Sequence, residues 1–195
     1  MILRPEILTH ENIPKPLHGR NPRTILGKKW WDIEREKAYA ANDYHCLACG
    51  EKPGRDEKHR LEAHEFYEID HETAIVKYIE PVALCKNCHS FIHSGRMYSL
   101  YKKGQMSRDR ILTILNRGFK LLKENKLSAY WNTKFLWLIL NGYSEAKAEV
   151  YLLDRDLIPI SKYANKWSEW TLEMNGKKYY SLYENEQEWE NFYNK

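Results

Sequence analysis

The sequence predicts an α+β protein in which a zinc ion ties a β-hairpin to a short helix, with helices on both sides. Three observations predict this fold. Two C-x2-C pairs have 35 residues between them, and this segment contains two stretches that are predicted to form strands. Amphipathic helical patterns flank this region. Near the C-terminus, an Asn-Gly pair between two aromatic-rich stretches indicates a second hairpin.

Composition sets the broad class of the protein. The chain has 195 residues, of which 43% are hydrophobic and 30% charged, enough for one sizeable core or two small ones. Its apolar runs, the longest near Phe135 to Leu140, are far shorter than the roughly 20 residues of a membrane span. The N-terminus MILRPEILTH lacks a signal-peptide pattern. We therefore expect a cytoplasmic protein without a membrane partner.

The first half of the chain divides into two predicted regions. Residues 1–27, rich in proline and polar side chains, are predicted to form an extended N-terminal arm. Residues 28–95 begin with a helix over KKWWDIEREKAYAAND. The stretches RLEAHEFYEI and TAIVKYI then predict two strands joined by a turn, and the second cysteine pair opens a short helix.

The second half begins with a basic helical segment over residues 96–126, which has nine basic residues against two acidic ones. Ser107 is the expected N-cap of its amphipathic helix. Residues 127–195 predict two further helices, over YWNTKFLWLIL and SEAKAEVYLL, and the hairpin around Asn175-Gly176. The tail EQEWENFY is predicted to be helical.

The four cysteines predict a structural zinc site. Cys46 with Cys49, and Cys85 with Cys88, have the spacing of zinc knuckles, and together they supply the four thiolates of a tetrahedral site. In a reducing compartment, such pairs are metal ligands more often than disulfides. The alternative is four unlinked buried cysteines.

The order of these motifs resembles the zinc-stapled branch of the HNH endonucleases, whose active site is a ββα-metal finger. The resemblance covers about Cys46 to Gly95 and rests on a C-x2-C pair, a strand with a histidine motif, and L-C-x2-C-H opening a helix. It implies metal-dependent hydrolysis of phosphodiester bonds in DNA. It also implies a catalytic divalent ion, Mg2+, Mn2+, Ni2+ or Zn2+, besides the structural zinc.

The resemblance assigns roles to four residues near the knuckles. The family commonly has a small apolar residue, a metal ligand and a histidine base in the first strand, and here the stretch is Ala63-His64-Glu65. His64, His89 and His93 are then the metal ligands, with His64 and His89 counted among the catalytic residues, and Glu65 takes the base position. For the histidines, the alternative is a surface or hydrogen-bonded core role without metal.

Two departures from the family pattern keep other readings of the site open. Glu65 stands where the family has a histidine, and Glu80 stands where it has its middle asparagine. Glu65 could instead orient His64 without acting as a base. His71 and Asp70, in the predicted turn, are the fallback candidates for the base.

The basic segment predicts contact with nucleic acid, which we expect to be double-stranded DNA. Its alternative is a solvated helix face. The candidate phosphate contacts are Arg96, Lys102, Lys103, Arg110, Arg117 and Lys120. Two functions thus stay open: a metal-dependent HNH-type endonuclease, or a catalytically impaired zinc module of that fold that binds nucleic acid or a protein partner.

Overall fold

The computed structural model describes residues 2–54, 60–155 and 166–193. Residues 55–59, in the predicted 28–95 region, and 156–165 and 194–195, in the predicted 127–195 region, lie outside the described residues. The described chain is α+β, with eight α-helices and one four-stranded sheet. The helices are α1 Pro22–Leu26, α2 Lys28–Ala41, α3 Lys86–Ile92, α4 Ser94–Lys102, α5 Arg108–Glu124, α6 Trp131–Leu140, α7 Glu145–Leu153 and α8 Glu186–Tyr193; the strands are β1 Leu61–Asp70, β2 Ile75–Cys85, β3 Thr171–Met174 and β4 Lys177–Tyr180.

Helices α2 to α8 agree with the sequence patterns that predicted them, whereas α1 lies in the region predicted to be an extended arm, where Asn21 caps it by accepting a hydrogen bond from the Thr24 amide. Helix α5 begins directly after Ser107, whose hydroxyl accepts a hydrogen bond from the Arg110 amide at 3.3 Å, which confirms the predicted N-cap. The basic segment divides into α4 and α5, with Gly104 in the turn between them at φ 66°. Within the described ranges, no helix has both the length and the apolar character needed to cross a membrane.

The chain forms two compact units, and each consists of segments that are not consecutive in sequence. Among the described residues, the first unit comprises residues 2–12, 39–54, 60–64 and 83–155, and the second comprises residues 13–38, 65–82 and 166–193. Neither unit coincides with one of the four consecutive regions predicted from the sequence.

The first unit is built on the packing of α3 and α5. Gly118 of α5 lies directly against the ring of Phe91 of α3, which is fully buried. The N-terminal residues differ from the predicted extended arm, because Pro5–Thr9 forms a 3-10 turn whose Ile7 and Leu8 are buried. Burial of these two hydrophobic side chains away from water stabilises the packed conformation of this segment.

The second unit contains the C-terminal hairpin. Strands β3 and β4 pair antiparallel across Asn175 and Gly176, whose φ angles of 52° and 71° fit a type I′ turn and confirm the prediction. Strand β3 also pairs in parallel with β2, in the register Val76 to Leu172. The sequence patterns did not predict this pairing. The core of the unit contains Leu17, Tyr67, Ala74, Val76, Trp170 and Leu172.

Candidate metal centre

The four cysteines lie together in the first unit, where they can hold a metal ion. Their Sγ atoms all lie within 4.8 Å of one another, and Cys46, Cys85 and Cys88 are buried. Zinc bound to sulfur at about 2.3 Å in a tetrahedron places its sulfur ligands about 3.8 Å apart. The Sγ atoms of Cys49 and Cys85 are 3.8 Å apart, which fits this geometry.

A backbone hydrogen bond links the two cysteine pairs, and another shapes the first pair. The Leu47 amide, inside the first pair, donates to the carbonyl of Ala83 at 2.8 Å, two residues before Cys85. Gly50 ends the first pair with φ 74°, and its amide donates to the Cys46 carbonyl at 2.8 Å. A glycine is favoured there because other residues rarely adopt a positive φ.

The ionisation of the thiols also suits a cation. Cys46 interacts with two of the other thiols with opposite effects. Its hydrogen bond with Cys49 holds the pKa of the Cys49 thiol far below its usual value, and its hydrogen bond with Cys88 raises the pKa of the Cys88 thiol. Without a cation the cluster therefore favours few thiolates, because neighbouring negative charges repel each other. A divalent ion removes that penalty, since it binds the deprotonated form of each thiol.

The Arg117 side chain lies beside the cysteine cluster. Its Nη2 donates to Glu51 Oε2 at 2.7 Å and contacts Cys49 Sγ at 3.6 Å. Four thiolates around a Zn2+ ion carry a net negative charge, and the guanidinium group offsets part of it. The structure thus gives Arg117, predicted as a phosphate contact, partners within the protein.

His64, His89 and His93 form the second group that could hold a metal ion. One ring nitrogen from each lies within 4.8 Å of the others. The closest pair, His64 Nδ1 and His93 Nε2, is 3.2 Å apart. A tetrahedral ion bound to nitrogen at about 2.0 Å requires about 3.3 Å between ligands. Three imidazole ligands leave a fourth position for water or substrate, as catalytic sites do.

The surroundings of His64 and His93 favour their neutral form, which is the form that binds metal. Burial lowers the pKa of His93 to about 3, with a further contribution from His89. Burial, followed by the neighbouring His93 and His10, holds the pKa of His64 well below its usual value. The lone pairs of both rings are therefore available at neutral pH.

Glu62 was not among the predicted site residues, yet it contacts one of the three histidines. Its Oε2 lies 2.5 Å from His89 Nδ1, and this contact lowers the pKa of the carboxyl group. A carboxylate that binds one ring nitrogen fixes the tautomer, leaving Nε2 to face a metal. Strand alternation could have indicated Glu62, because it precedes His64 by two residues and so shares its face of β1.

His10 is the other neighbour that sequence reasoning missed. Its Nδ1 lies 2.9 Å from His64 Nε2, and the two rings meet edge to face with centroids 5.0 Å apart. His10 follows the buried 3-10 turn of the first unit. No local pattern could have indicated it, because 54 residues separate it from His64 along the chain.

The remaining base candidates belong to the second unit. Glu65 follows His64 in β1, and its charge raises the pKa of Tyr67 and of Tyr78, on which burial has the larger effect. Among the described residues, the group of three histidines does not include Glu65. Asp70 accepts hydrogen bonds from Thr73 within its turn, and His71 packs against Trp170. Glu80 also acts on Tyr78.

The predicted phosphate contacts are all exposed but differ in their partners. Lys102 contacts Glu145 at 3.1 Å, Arg110 donates to Asn87 at 2.6 Å, and Lys120 lies 3.9 Å from Glu124. The charge of Arg96 acts on the histidine group and its neighbour, because it lowers the pKa of both Glu62 and His93. Lys86, not predicted as a phosphate contact, also acts on Glu62.

The four cysteines and the three histidines thus lie in one compact unit, and helix α3 contributes to both groups through Cys88 and His89. Comparison of the chain with protein-family models, with curated proteins and with solved structures found no match.

Proposed function

We propose that this protein is a metal-dependent endonuclease of the HNH type that hydrolyses phosphodiester bonds in DNA. The observation that carries the proposal is the grouping of His64, His89 and His93 around one point. In chain order, β1 supplies the first histidine, β2 leads to the second cysteine pair, and α3 with its C-cap supplies the others. This order is that of a ββα-metal finger, with the cysteines as its structural zinc site.

The chemistry needs a positive centre beside the scissile phosphate and a base for the attacking water. His64, His89 and His93 would hold a divalent ion, which would supply the first by stabilising charge on the leaving oxygen. Glu62 fixes the ring of His89 so that its Nε2 faces the site. The resemblance assigns the base to Glu65, which has to take a proton from water.

The charges around the histidines favour a phosphate substrate. Arg96 follows His93 by three residues in α4, and Lys86 precedes His89 by three residues in α3. Both act on the Glu62 carboxylate. These two cations lie on the same short helices as the candidate ligands, so they can attract and orient the anionic backbone of a nucleic acid. Contacts of this kind carry no base specificity by themselves.

The second candidate function is a non-catalytic zinc module that binds nucleic acid or a protein. Glu65 and Glu80 favour it, because they replace the histidine and the asparagine of the family and act on tyrosines of the second unit. Such a module keeps the cysteine site as a structural element. The three histidines favour the enzyme, since ligand spacing gives no advantage to a fold that binds no second metal.

Plasmid nicking distinguishes these functions. Purified protein is incubated with supercoiled plasmid and Mg2+, Mn2+ or Ni2+, beside a His89→Ala variant and an EDTA control. The enzyme is supported by metal-dependent conversion to the nicked form that His89→Ala loses. Retained DNA binding in a mobility-shift assay, without cleavage by the wild type in any metal, supports the module instead.

A further inference from the structure

We propose that His10, from the N-terminal segment, is a positioning residue that holds His64 in the tautomer and orientation required to bind a divalent cation. The proposal rests on the metal site of the proposed function. His10 comes from residues 1–27, which the sequence patterns assigned to an N-terminal arm and not to the region that contains the site.

The two nitrogens of His64 face different partners. Its Nδ1 lies 3.2 Å from His93 Nε2, and its Nε2 lies 2.9 Å from His10 Nδ1. A neutral imidazole has one lone pair and one N–H. If Nδ1 gives its lone pair to a cation shared with His93, the proton of His64 is on Nε2, where it donates to His10 Nδ1. The proton of His10 is then on its own Nε2.

The same geometry argues against His10 as a further ligand of that cation. His10 contacts the ring nitrogen of His64 that is not the one facing His93. Within the described residues, the group whose ligand atoms lie within 4.8 Å contains His64, His89 and His93 but not His10. His10 therefore acts through His64, as Glu62 acts through His89.

The N-terminal segment is anchored firmly enough to position a ring. The His10 amide donates to the Ile7 carbonyl at 3.0 Å, which closes the 3-10 turn. Ile7 and Leu8 in that turn are 0% and 1% exposed. His64 itself is 4% exposed, so water has little access to replace His10 as the acceptor.

The test is a Co2+ titration, read by the visible ligand-field bands of Co2+ on protein that retains zinc at its cysteines. His10→Leu removes the acceptor, whereas His10→Asn places Oδ1 close to where Nδ1 was. We expect His10→Leu to lower the Co2+ affinity ten- to a hundredfold and His10→Asn to restore most of it. Thr9→Ala, which removes an exposed hydrogen bond to Glu6 from the same turn, is the matched control and should bind as the wild type does.

Two results would overturn the proposal: wild-type affinity in His10→Leu, or an Asn variant that binds no better than the Leu variant. If His10→Leu does not fold, as judged by circular dichroism, His10→Ala takes its place in the same comparison. The readout uses no nucleic acid. Wild-type protein that binds Co2+ as expected but cleaves no DNA therefore refutes the endonuclease and leaves the role of His10 intact.

Discussion

Gly118 is the residue whose enlargement should most directly disturb both metal groups. It lies in α5 against Phe91 of α3, and α3 carries Cys88 and His89. A Cβ added at Gly118 would be 2.7 Å from Phe91 Cγ and closer still to Cδ2 and Cε2. Carbon atoms pack best at about 3.5–4.0 Å. The ring, which is 0% exposed, would have to retreat by about 1 Å.

Two opposing terms set the size of the effect of Gly118→Ala. Alanine improves the helix by about 1 kcal/mol relative to glycine. Overpacking a tight core costs about 1–3 kcal/mol. Because the close contacts are with an aromatic ring rather than the end of a flexible chain, we expect the overpacking cost to exceed the helix gain, with a net loss of up to ~2 kcal/mol in the free energy of unfolding.

The chain offers a matched control in Gly95 of α4, where an added Cβ meets nothing within 4 Å. Gly95→Ala should be neutral or stabilise the protein by up to about 1 kcal/mol. Urea unfolding of both variants, with zinc counted by native mass spectrometry, measures the difference. If Gly118→Ala is as stable as Gly95→Ala, the proposed rigid packing of α3 on α5 is wrong.

Three further predictions follow from the metal groups and the basic helices. Cys85→Ser should lose the zinc and unfold the first unit, since metal binding at such a site contributes on the order of 10 kcal/mol to folding; a folded, zinc-free variant in native mass spectrometry would contradict this. If Glu65 is the base, Glu65→Gln should keep Co2+ affinity but lower the cleavage rate by a factor of about 10²–10⁴, whereas His64→Ala should lose the metal as well. Rescue of the Glu65→Gln variant by excess metal would reject the base assignment. Arg96→Gln with Lys103→Gln should lower the salt slope of DNA binding by about 2, and an unchanged slope would place the DNA elsewhere.

Local patterns predicted most of the helices and strands and the candidate metal ligands. The spacing within each cysteine pair, the Asn175-Gly176 turn and the Ser107 cap are set by a few neighbouring residues, so they can be recognised without knowing the rest of the fold. The grouping of His64 with His89 and His93 followed from a resemblance to a known family and from the helical spacing of the last two.

Non-local packing could not be predicted in the same way. The contact of His10 with His64 spans 54 residues, and the parallel pairing of Val76 with Leu172 spans almost 100. Such contacts depend on which hydrophobic surfaces meet, not on spacing. The buried Ile7 illustrates this, because its segment is rich in proline and polar residues, a composition typical of an extended arm.

The proposed endonuclease activity depends most directly on whether the three histidines bind a metal ion. Anomalous X-ray scattering from crystals of the zinc-containing protein soaked in Mn2+, recorded at the zinc and manganese edges, tests it. We expect one zinc peak at about 2.3 Å from the four Sγ atoms and a second peak at about 2.0–2.2 Å from His64 Nδ1, His89 Nε2 and His93 Nε2. Zinc at the cysteines with no metal of either kind at the histidines would contradict the catalytic site.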